Sequence, residues 1–386
     1  MTRRKVCVVI TARPSYSRVR SLLQAVREHP ALELQIVVAA SALLDRYGSA
    51  HLVIEREGFH IDRRIFMIME GENLVTAAKS TGLGLAEMAT VFDDLKPDVV
   101  ITIADRFETM ATAVAASYLN LPLAHVQGGE VTGSIDEKVR HAITKLADLH
   151  FVASENAAER VIRMGEREDR VFVTGCPSID VVCQALSKPS IELDRLIENY
   201  HGVGEKIDLS GNYIVVLQHP VTTEYWESRA HVTETLRAVV DSDLPALWFW
   251  PNVDAGSDGT SKGIRAFREN QAVPKIHFFK NLPPEDFLRL LNQSRCIVGN
   301  SSVGIRECSY MGVPCVNIGS RQEGRDRGRN VADVAYDAEA IRSAIGKQVE
   351  AARFERDPIY GEGQAGAKIA DLLAEVPLGI EKRLTY

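Results

Sequence analysis

The stretch Ala104–His150, ADRFETMATAVAASYLNLPLAHVQGGEVTGSIDEKVRHAITKLADLH, decides the fold. It follows a β-rich run, Asp98-Val-Val-Ile-Thr-Ile103, and Asp105 and Arg106 stand where that strand must end and a helix begin. An Ala-rich helix follows and stops before Leu121-Pro122. A second strand, Leu123 to Val126, runs into Gln127-Gly-Gly-Glu130, and Asp136, Glu137, Arg140 and His141 lead into another helix. Two successive βα junctions thus aim carboxylates, an Arg and a His at the carboxyl ends of neighbouring strands. In open α/β sheets ligands bind there.

The same alternation extends both ways. Lys5–Thr11 reads as a buried parallel strand, with a helix to about His29 after it and Pro14 near its start. Ser15 is a candidate cap. A strand at Leu34–Ala40, a helix at Leu43–Arg56, a short strand at His60–Met67 and a helix at Asn73–Leu95 precede the central stretch; Gly82 and Gly84 look like weak points in the last. Strands at Leu149–Ala153 and Val171–Thr174 close this half, the first followed by a helix capped by Ser154. Lys188–Ser210 is more polar and marks a boundary. The pattern then restarts with strands at Tyr213–Leu217, Leu247–Trp250, Lys275–Phe279, Cys296–Val298 and Val313–Ile318, the last clear strand. The expectation is an α/β chain of two Rossmann-like, doubly wound parallel-sheet domains, with a ligand in the cleft between them.

A chain of 386 residues is long enough for two such domains. Its 45% apolar and 25% charged residues are ordinary for a globular protein, and a net charge of −7 argues against a nucleic-acid or anionic-membrane binder. The apolar run Val6–Ile10 is too short for a signal sequence, and nothing approaches the ~20 residues of a membrane span. Six cysteines without a CxxC pair point to reduced thiols in a cytoplasmic protein and away from zinc.

Several strand ends carry candidate chemistry. Gly299-Asn-Ser-Ser-Val-Gly304 joins a strand to a helix beginning near Ser302; its N–H groups, helix dipole and hydroxyls Ser301 and Ser302 suit a diphosphate, or simply form a Ser-capped helix. Glu307, one turn in, suits ribose hydroxyls, or is simply a first-turn acid that favours the dipole. No GxGxxG follows the first strand or this one, which disfavours NAD. Arg321 follows a strand end in a Gly- and Arg-rich loop, and Arg suits bidentate phosphate contact; Arg327 and Arg329 read as solvated loop residues. Arg13 and Ser17 hold the matching place after the first strand. His219 ends a strand before a proline, whereas His125 reads as a satisfied core histidine. Asn252, Asp254 and Gly256, after another strand, are placed to read a base or sugar. For proton transfer the candidates are Asp105, Glu130 and Asp136, with His219 opposite them; clustered carboxylates push their pKa values apart and can hold both an acid and a base. Glu137 reads as a solvated helix residue, and His141 is undecided.

Taken together, Arg13–Ser17, Asp105-Arg106-Phe107-Glu108, Gly128-Gly-Glu130-Val131, Ile135-Asp136, Arg140-His-Ala-Ile-Thr-Lys145, His219-Pro220, Pro251-Asn252 with Asp254-Ala-Gly256, Gly299-Asn-Ser-Ser302, and Arg321-Gln322 with Gly324-Arg325 resemble the hydrolysing UDP-N-acetylglucosamine 2-epimerases. The resemblance spans nearly the whole chain. It implies a GT-B-like fold with a sugar-side domain at 1–187, a UDP-binding domain at 205–364, and a last helix, in 365–386, packing back on the first domain. It implies that His219, Ser301, Ser302, Glu307 and Arg321 hold UDP, with Arg13, Ser17, Arg106 and Asn252 completing the pocket. The implied reaction removes the sugar C2 proton, expels UDP in an anti elimination to a 2-acetamidoglucal, and adds water to give N-acetylmannosamine. It needs no metal or nicotinamide. Family precedent suggests a homodimer or homotetramer. Some relatives carry Glu where this chain has Gln127, which cannot titrate. Related hydrolysing enzymes of UDP-2,4-diacetamido-2,4,6-trideoxyglucose share the motifs, so that substrate stays open. So do a non-hydrolysing epimerase, a GT-B glycosyltransferase and a non-catalytic nucleotide-sugar sensor.

Overall fold

The computed structural model describes residues 3–385 except 72, 133–135, 190, 191, 193–197, 201, 205, 206, 210, 211, 252–256, 271–274 and 281, and without the side chains of Arg46 and Asp136. The chain divides into two compact units: Met1–Glu130, Ile135–Val181 and Tyr360–Tyr386 form one, and Val131–Ser134 with Val182–Ile359 the other.

The first unit holds β1 (Arg4–Ile10), α1 (Arg13–Glu28), β2 (Leu32–Ala39), α2 (Ala50–Arg56), β3 (Arg63–Ile65), α3 (Leu74–Leu95), β4 (Val99–Ile103), α4 (Thr109–Tyr118), β5 (Leu123–Val126), α5 (Asp136–Leu146), β6 (Leu149–Val152), α6 (Glu155–Arg163) and β7 (Val171–Val173). The division falls inside α7 (Pro177–Leu186). All strands pair in parallel, in the order β3-β2-β1-β4-β5-β6-β7. Burial on both faces makes β1 read as a continuous apolar run. Val6, Val8 and Ile10 pack in one core cluster, Cys7 and Val9 in another. Aspartates mark the sheet's entry edge: Asp98, Asp62 and Asp148 accept the N–H groups of Lys5, Ile36 and Leu123 at 2.7, 2.7 and 2.9 Å.

The second unit holds β8 (Ile214–Leu217), α8 (Ser228–Asp241), β9 (Ala246–Phe249), α9 (Ser257–Asn270), β10 (Ile276–Phe279), α10 (Pro284–Gln293), β11 (Cys296–Gly299), α11 (Ser302–Ile305), α12 (Glu307–Met311), β12 (Cys315–Ile318), β13 (Val331–Val334) and α13 (Ala338–Glu350). Its sheet runs β10-β9-β8-β11-β12-β13, again parallel. Both sheets reverse direction beside their first strand, so the crevices for ligands lie at the ends of β1 and β4 and of β8 and β11. The final helix, α14 (Ala365–Glu375), belongs to the first unit and lies on α1. Asp180 accepts its first N–H groups, from Ala365 and Gly366, at 2.9 and 2.7 Å. Gly366 is needed at the crossing: a Cβ there would lie 2.6 Å from the Ser21 carbonyl carbon.

Four sequence expectations need correction. Ser15 does not cap α1; the cap position is Ala12 and Ser15 is buried inside the helix. Leu43–Arg56 is not one helix: left-handed Gly48 (φ 90°) and Ser49 (φ 44°) interrupt it, leaving two 3-10 turns before α2. Gly82 and Gly84 do not interrupt α3, which runs unbroken; Gly84 makes room for Met67. Val313–Ile318 is not the last strand, because β13 follows at the sheet edge, its pattern masked by half-exposed positions and Asp333. The six cysteines form no disulfide, and all but Cys183 are buried. Burial pushes the Cys296 thiol up to about 12 and likewise raises Cys7, Cys308 and Cys315. Among the described residues no helix is long and apolar enough to cross a membrane.

Candidate active site

In the first unit, β4 ends at Ile103 and the chain turns through Ala104 in a left-handed conformation, φ 62°. Such a backbone costs an L-residue about 1 kcal/mol or more, so it persists only where its surroundings hold it. Asp105 comes next. Its carboxylate pairs with the guanidinium of Arg140, which is buried in α5. A second nitrogen of Arg140 donates to the Glu130 carbonyl at 2.9 Å. One buried cation therefore gathers the ends of β4 and of the loop after β5. Glu130 itself is buried. Arg106 donates from Nε to Glu108 at 2.8 Å, and Glu108 is fully buried. At the other side of the crevice Arg13 opens α1, Ser17 Oγ lies 3.4 Å from the Arg13 carbonyl, and burial brings the Arg13 guanidinium down to about 10. Asp136 opens α5, with its side chain outside the described residues. Glu137 pairs with His141 at 3.0 Å, both partly exposed. Gln127 is buried and left-handed, φ 67°, and donates from Nε2 to Cys176 Sγ at 2.8 Å.

In the second unit the structure adds a residue that sequence reasoning passed over. Asn300 is fully buried between the ends of β8 and β11. Its Oδ1 accepts from the His219 N–H at 2.7 Å, and its Nδ2 donates to the His219 carbonyl at 2.8 Å. The Asn300 carbonyl accepts from Arg321 at 3.2 Å and from Gln322 at 2.8 Å. One asparagine thus sets His219 and Arg321, on three adjacent strand ends, in register. Ser301 caps α11, accepting from the Val303 N–H at 3.4 Å, and Ser302 Oγ accepts from Arg306 at 2.9 Å. Glu307 is buried, and its Oε2 has no hydrogen-bond partner among the described residues. Tyr336 packs where a Cβ at Gly319 would stand, and burial pushes its hydroxyl up to about 12. The helix-dipole argument for the Ser301–Ser302 site is corrected: α11 has four residues and breaks at Arg306 before α12. A single turn has little macrodipole. Arg327 is no solvated loop residue either: it pairs with Asp333 and donates to the Arg325 and Gln322 carbonyls. Arg329 is exposed. Asn252, Asp254 and Gly256 lie outside the described residues.

A family model described as UDP-N-acetylglucosamine 2-epimerase matches residues 24–374. The chain belongs to this family. It is 31% identical over 375 residues to the UDP-N,N'-diacetylbacillosamine 2-epimerase (hydrolyzing) of Legionella pneumophila, covering 97% of each chain. It is 29% identical over 363 residues to the UDP-N-acetylglucosamine 2-epimerase of Neisseria meningitidis, covering 94% of this chain and 91% of that one. A crystal structure of UDP-GlcNAc 2-epimerase from Neisseria meningitidis bound to UDP-GlcNAc superposes with a TM-score of 0.81 at 18% identity, over 96% of this chain and 100% of that one. At that identity the superposition shows the fold: Rossmann-like parallel-sheet units of the GT-B-like epimerases. The epimerase keeps Asp105 and Glu130 at or just after strand ends of one unit, His219, Ser301, Ser302 and Arg321 at those of the other, and Glu307 at the start of α12. Arg140, which the sequence shows only as part of the second βα junction and of the motif string, reaches the first set from α5 through its pairing with Asp105.

Proposed function

We propose that this epimerase is of the hydrolysing type and acts on a UDP-linked 2-acetamido sugar, with UDP-N-acetylglucosamine as substrate. The pairing of Asp105 with buried Arg140, whose other arm holds the Glu130 backbone, carries the reading. The pairing holds the Asp105 carboxylate at the end of β4, beside the strand crevice, where a reaction that moves protons needs one.

In the proposed reaction a carboxylate takes the proton from sugar C2. The C2–H electron pair forms the C1–C2 double bond, and the C1–O bond breaks with its pair leaving on UDP. Water then gives its oxygen to C1, and a proton returns to C2 on the opposite face. The products are UDP and N-acetylmannosamine. Asp105, Glu130 and Asp136 share the proton transfers, and His219 assists at the leaving diphosphate. Arg13, Ser17, Arg106, Ser301, Ser302 and Arg321 bind and neutralise it, Glu307 takes the ribose hydroxyls, and Asn252, Asp254 and Gly256 read base and sugar. The sum is redox-neutral, so no nicotinamide is consumed. Gln127, held by Cys176, orients rather than titrates. Two or four copies assemble in the cytoplasm.

Proton NMR with UDP-N-acetylglucosamine in deuterated water tests this. Free N-acetylmannosamine bearing deuterium at C2, with UDP, supports it. UDP-N-acetylmannosamine would make the enzyme non-hydrolysing and refute the proposal. A second substrate, UDP-N,N'-diacetylbacillosamine, is favoured by the 31% identity to the Legionella enzyme over almost the full length. Faster release of UDP from that sugar nucleotide would transfer the assignment to it.

A further inference from the structure

His125 lies in β5 and is fully buried. Both ring nitrogens are engaged. Nε2 is 2.9 Å from the Ala104 carbonyl, and Nδ1 is 3.1 Å from Thr144 Oγ1. A carbonyl oxygen only accepts, so Nε2 carries a hydrogen. Burial brings the imidazole down to about 3; the Ala104 carbonyl opposes this, and His150, His141 and Lys382 add to it. The ring is therefore neutral and has one N–H. Nδ1 is bare and takes the Thr144 hydroxyl hydrogen. That hydrogen has a rival acceptor, the Arg140 carbonyl at 3.0 Å. The carbonyl sits inside α5, where the helical ladder already supplies it with an N–H, whereas Nδ1 would otherwise be buried unmet.

The arrangement acts on one peptide. Ala104 is left-handed, and its N–H is tied to the Val126 carbonyl at 3.0 Å. Its carbonyl, tied to His125, belongs to the peptide from which Asp105 departs. Thr144 and Arg140 stand one turn apart on α5. The same helix thus grips Asp105 twice: at the carboxylate through Arg140 and at the backbone through Thr144 and His125. Gly128 completes the brace, since a Cβ there would come within 2.9 Å of His125 Nδ1 and 3.0 Å of Thr144 Oγ1. The first glycine of the Gly-Gly-Glu string is there to admit this pair.

We propose that His125 and Thr144 are positioning residues for the epimerase reaction, fixing the Ala104–Asp105 peptide and with it the Asp105 carboxylate. The inference rests on the assignment of Asp105 to proton transfer. A histidine that merely fills the core would, on losing its partner, change stability alone. A misplaced base lowers kcat and leaves UDP affinity intact.

Thr144→Val and Thr144→Ser separate the two. Val keeps the shape and removes the hydroxyl; Ser keeps the hydroxyl. Turnover is followed as UDP release, and UDP affinity by calorimetry. Thr144→Val is expected to lower kcat about tenfold, the worth of one buried hydrogen bond, with KM and UDP affinity within about twofold of the parent. Thr144→Ser is expected to retain kcat within about twofold. Parental kcat in Thr144→Val, or equal losses in both variants, overturns the inference. Nitrogen-15 NMR of histidine-labelled protein at pH 7 gives an independent reading: a neutral Nε2–H ring at His125 supports it, and an imidazolium or an Nδ1–H ring overturns it. A parent enzyme that releases UDP from neither substrate refutes the functional reading, and the positioning role falls with it. Turnover with an unaffected Thr144→Val refutes the positioning role alone.

Discussion

Arg140 makes two bonds that join parts of the chain far apart in sequence, to the Asp105 carboxylate and to the Glu130 carbonyl. A buried guanidinium with these partners cannot be exchanged cheaply, because its loss leaves a carboxylate without its counter-charge. With Asp105 as the proposed base, replacing Arg140 with Met should lower kcat by about a hundredfold, the penalty for displacing a reacting group by about 1 Å, with little change in UDP affinity. Initial rates and calorimetry check this; a loss of UDP affinity with unchanged kcat would instead assign Arg140 to the nucleotide. Residue by residue, legibility followed sequence distance. Asp105 announces itself by ending an apolar strand before a helix. Arg140 looks like any arginine on an amphipathic helix, and only the fold brings it to Asp105. His125 was read correctly as buried, but burial conceals which hydrogen bonds it makes. Asn300 was passed over because its neighbours' hydroxyls suggested the chemistry, while its own side chain binds backbone across a sheet crevice.

Elements are tied to one another by buried charge as well as by apolar faces. Glu166, after α6, receives Lys145 from α5 at 2.5 Å, His150 from β6 at 3.1 Å and Lys382 at 2.6 Å. Lys382 also donates to the Thr144 and Ala147 carbonyls at the end of α5. Burial pushes the Glu166 carboxyl up, yet the bonds from His150, Lys145 and Lys382 outweigh it and hold the group at about 2. Its folded value lies below the ordinary glutamate value of 4.5, so its contribution is complete above that pH and is lost as pH falls through about 2. Glu166→Gln should be less stable than the parent at pH 7, and the two should converge as pH falls from 4.5 toward 2. Urea midpoints across pH read this, and parallel curves would contradict it. The βα alternation was legible because strands buried on both faces are unbroken apolar runs. β13 was not, since an edge strand with Asp333 lacks that run. The turns before α2 were not either, because Ser49, an ordinary residue, takes a left-handed conformation there.

At the scale of the whole molecule, each unit repeats one plan: a parallel sheet that reverses beside its first strand, with the chain leaving several strands through a left-handed residue. Ala40, Ala104, Gln127, Gly299 and Gly319 all stand at strand ends with positive φ. Both units also carry buried thiols, and these convert the architecture into a clock. A thiol reagent reaches a buried sulfur only when the structure around it opens, so each labelling rate measures the free energy of a local opening. Cys183, partly exposed, should react first. Cys7 and Cys176 report on the first unit, and Cys296, Cys308 and Cys315 on the second. UDP at a hundred times its dissociation constant stabilises whatever holds it by about 2.7 kcal/mol. If the second unit is the main holder of UDP, as the resemblance implies, mass-spectrometric labelling should show UDP slowing the second set roughly a hundredfold in the regime where opening is an equilibrium. Equal slowing of Cys7 would mean that the nucleotide braces the first unit as strongly. The cysteines that chemistry leaves idle in this epimerase make the holding of its substrate a quantity that can be timed.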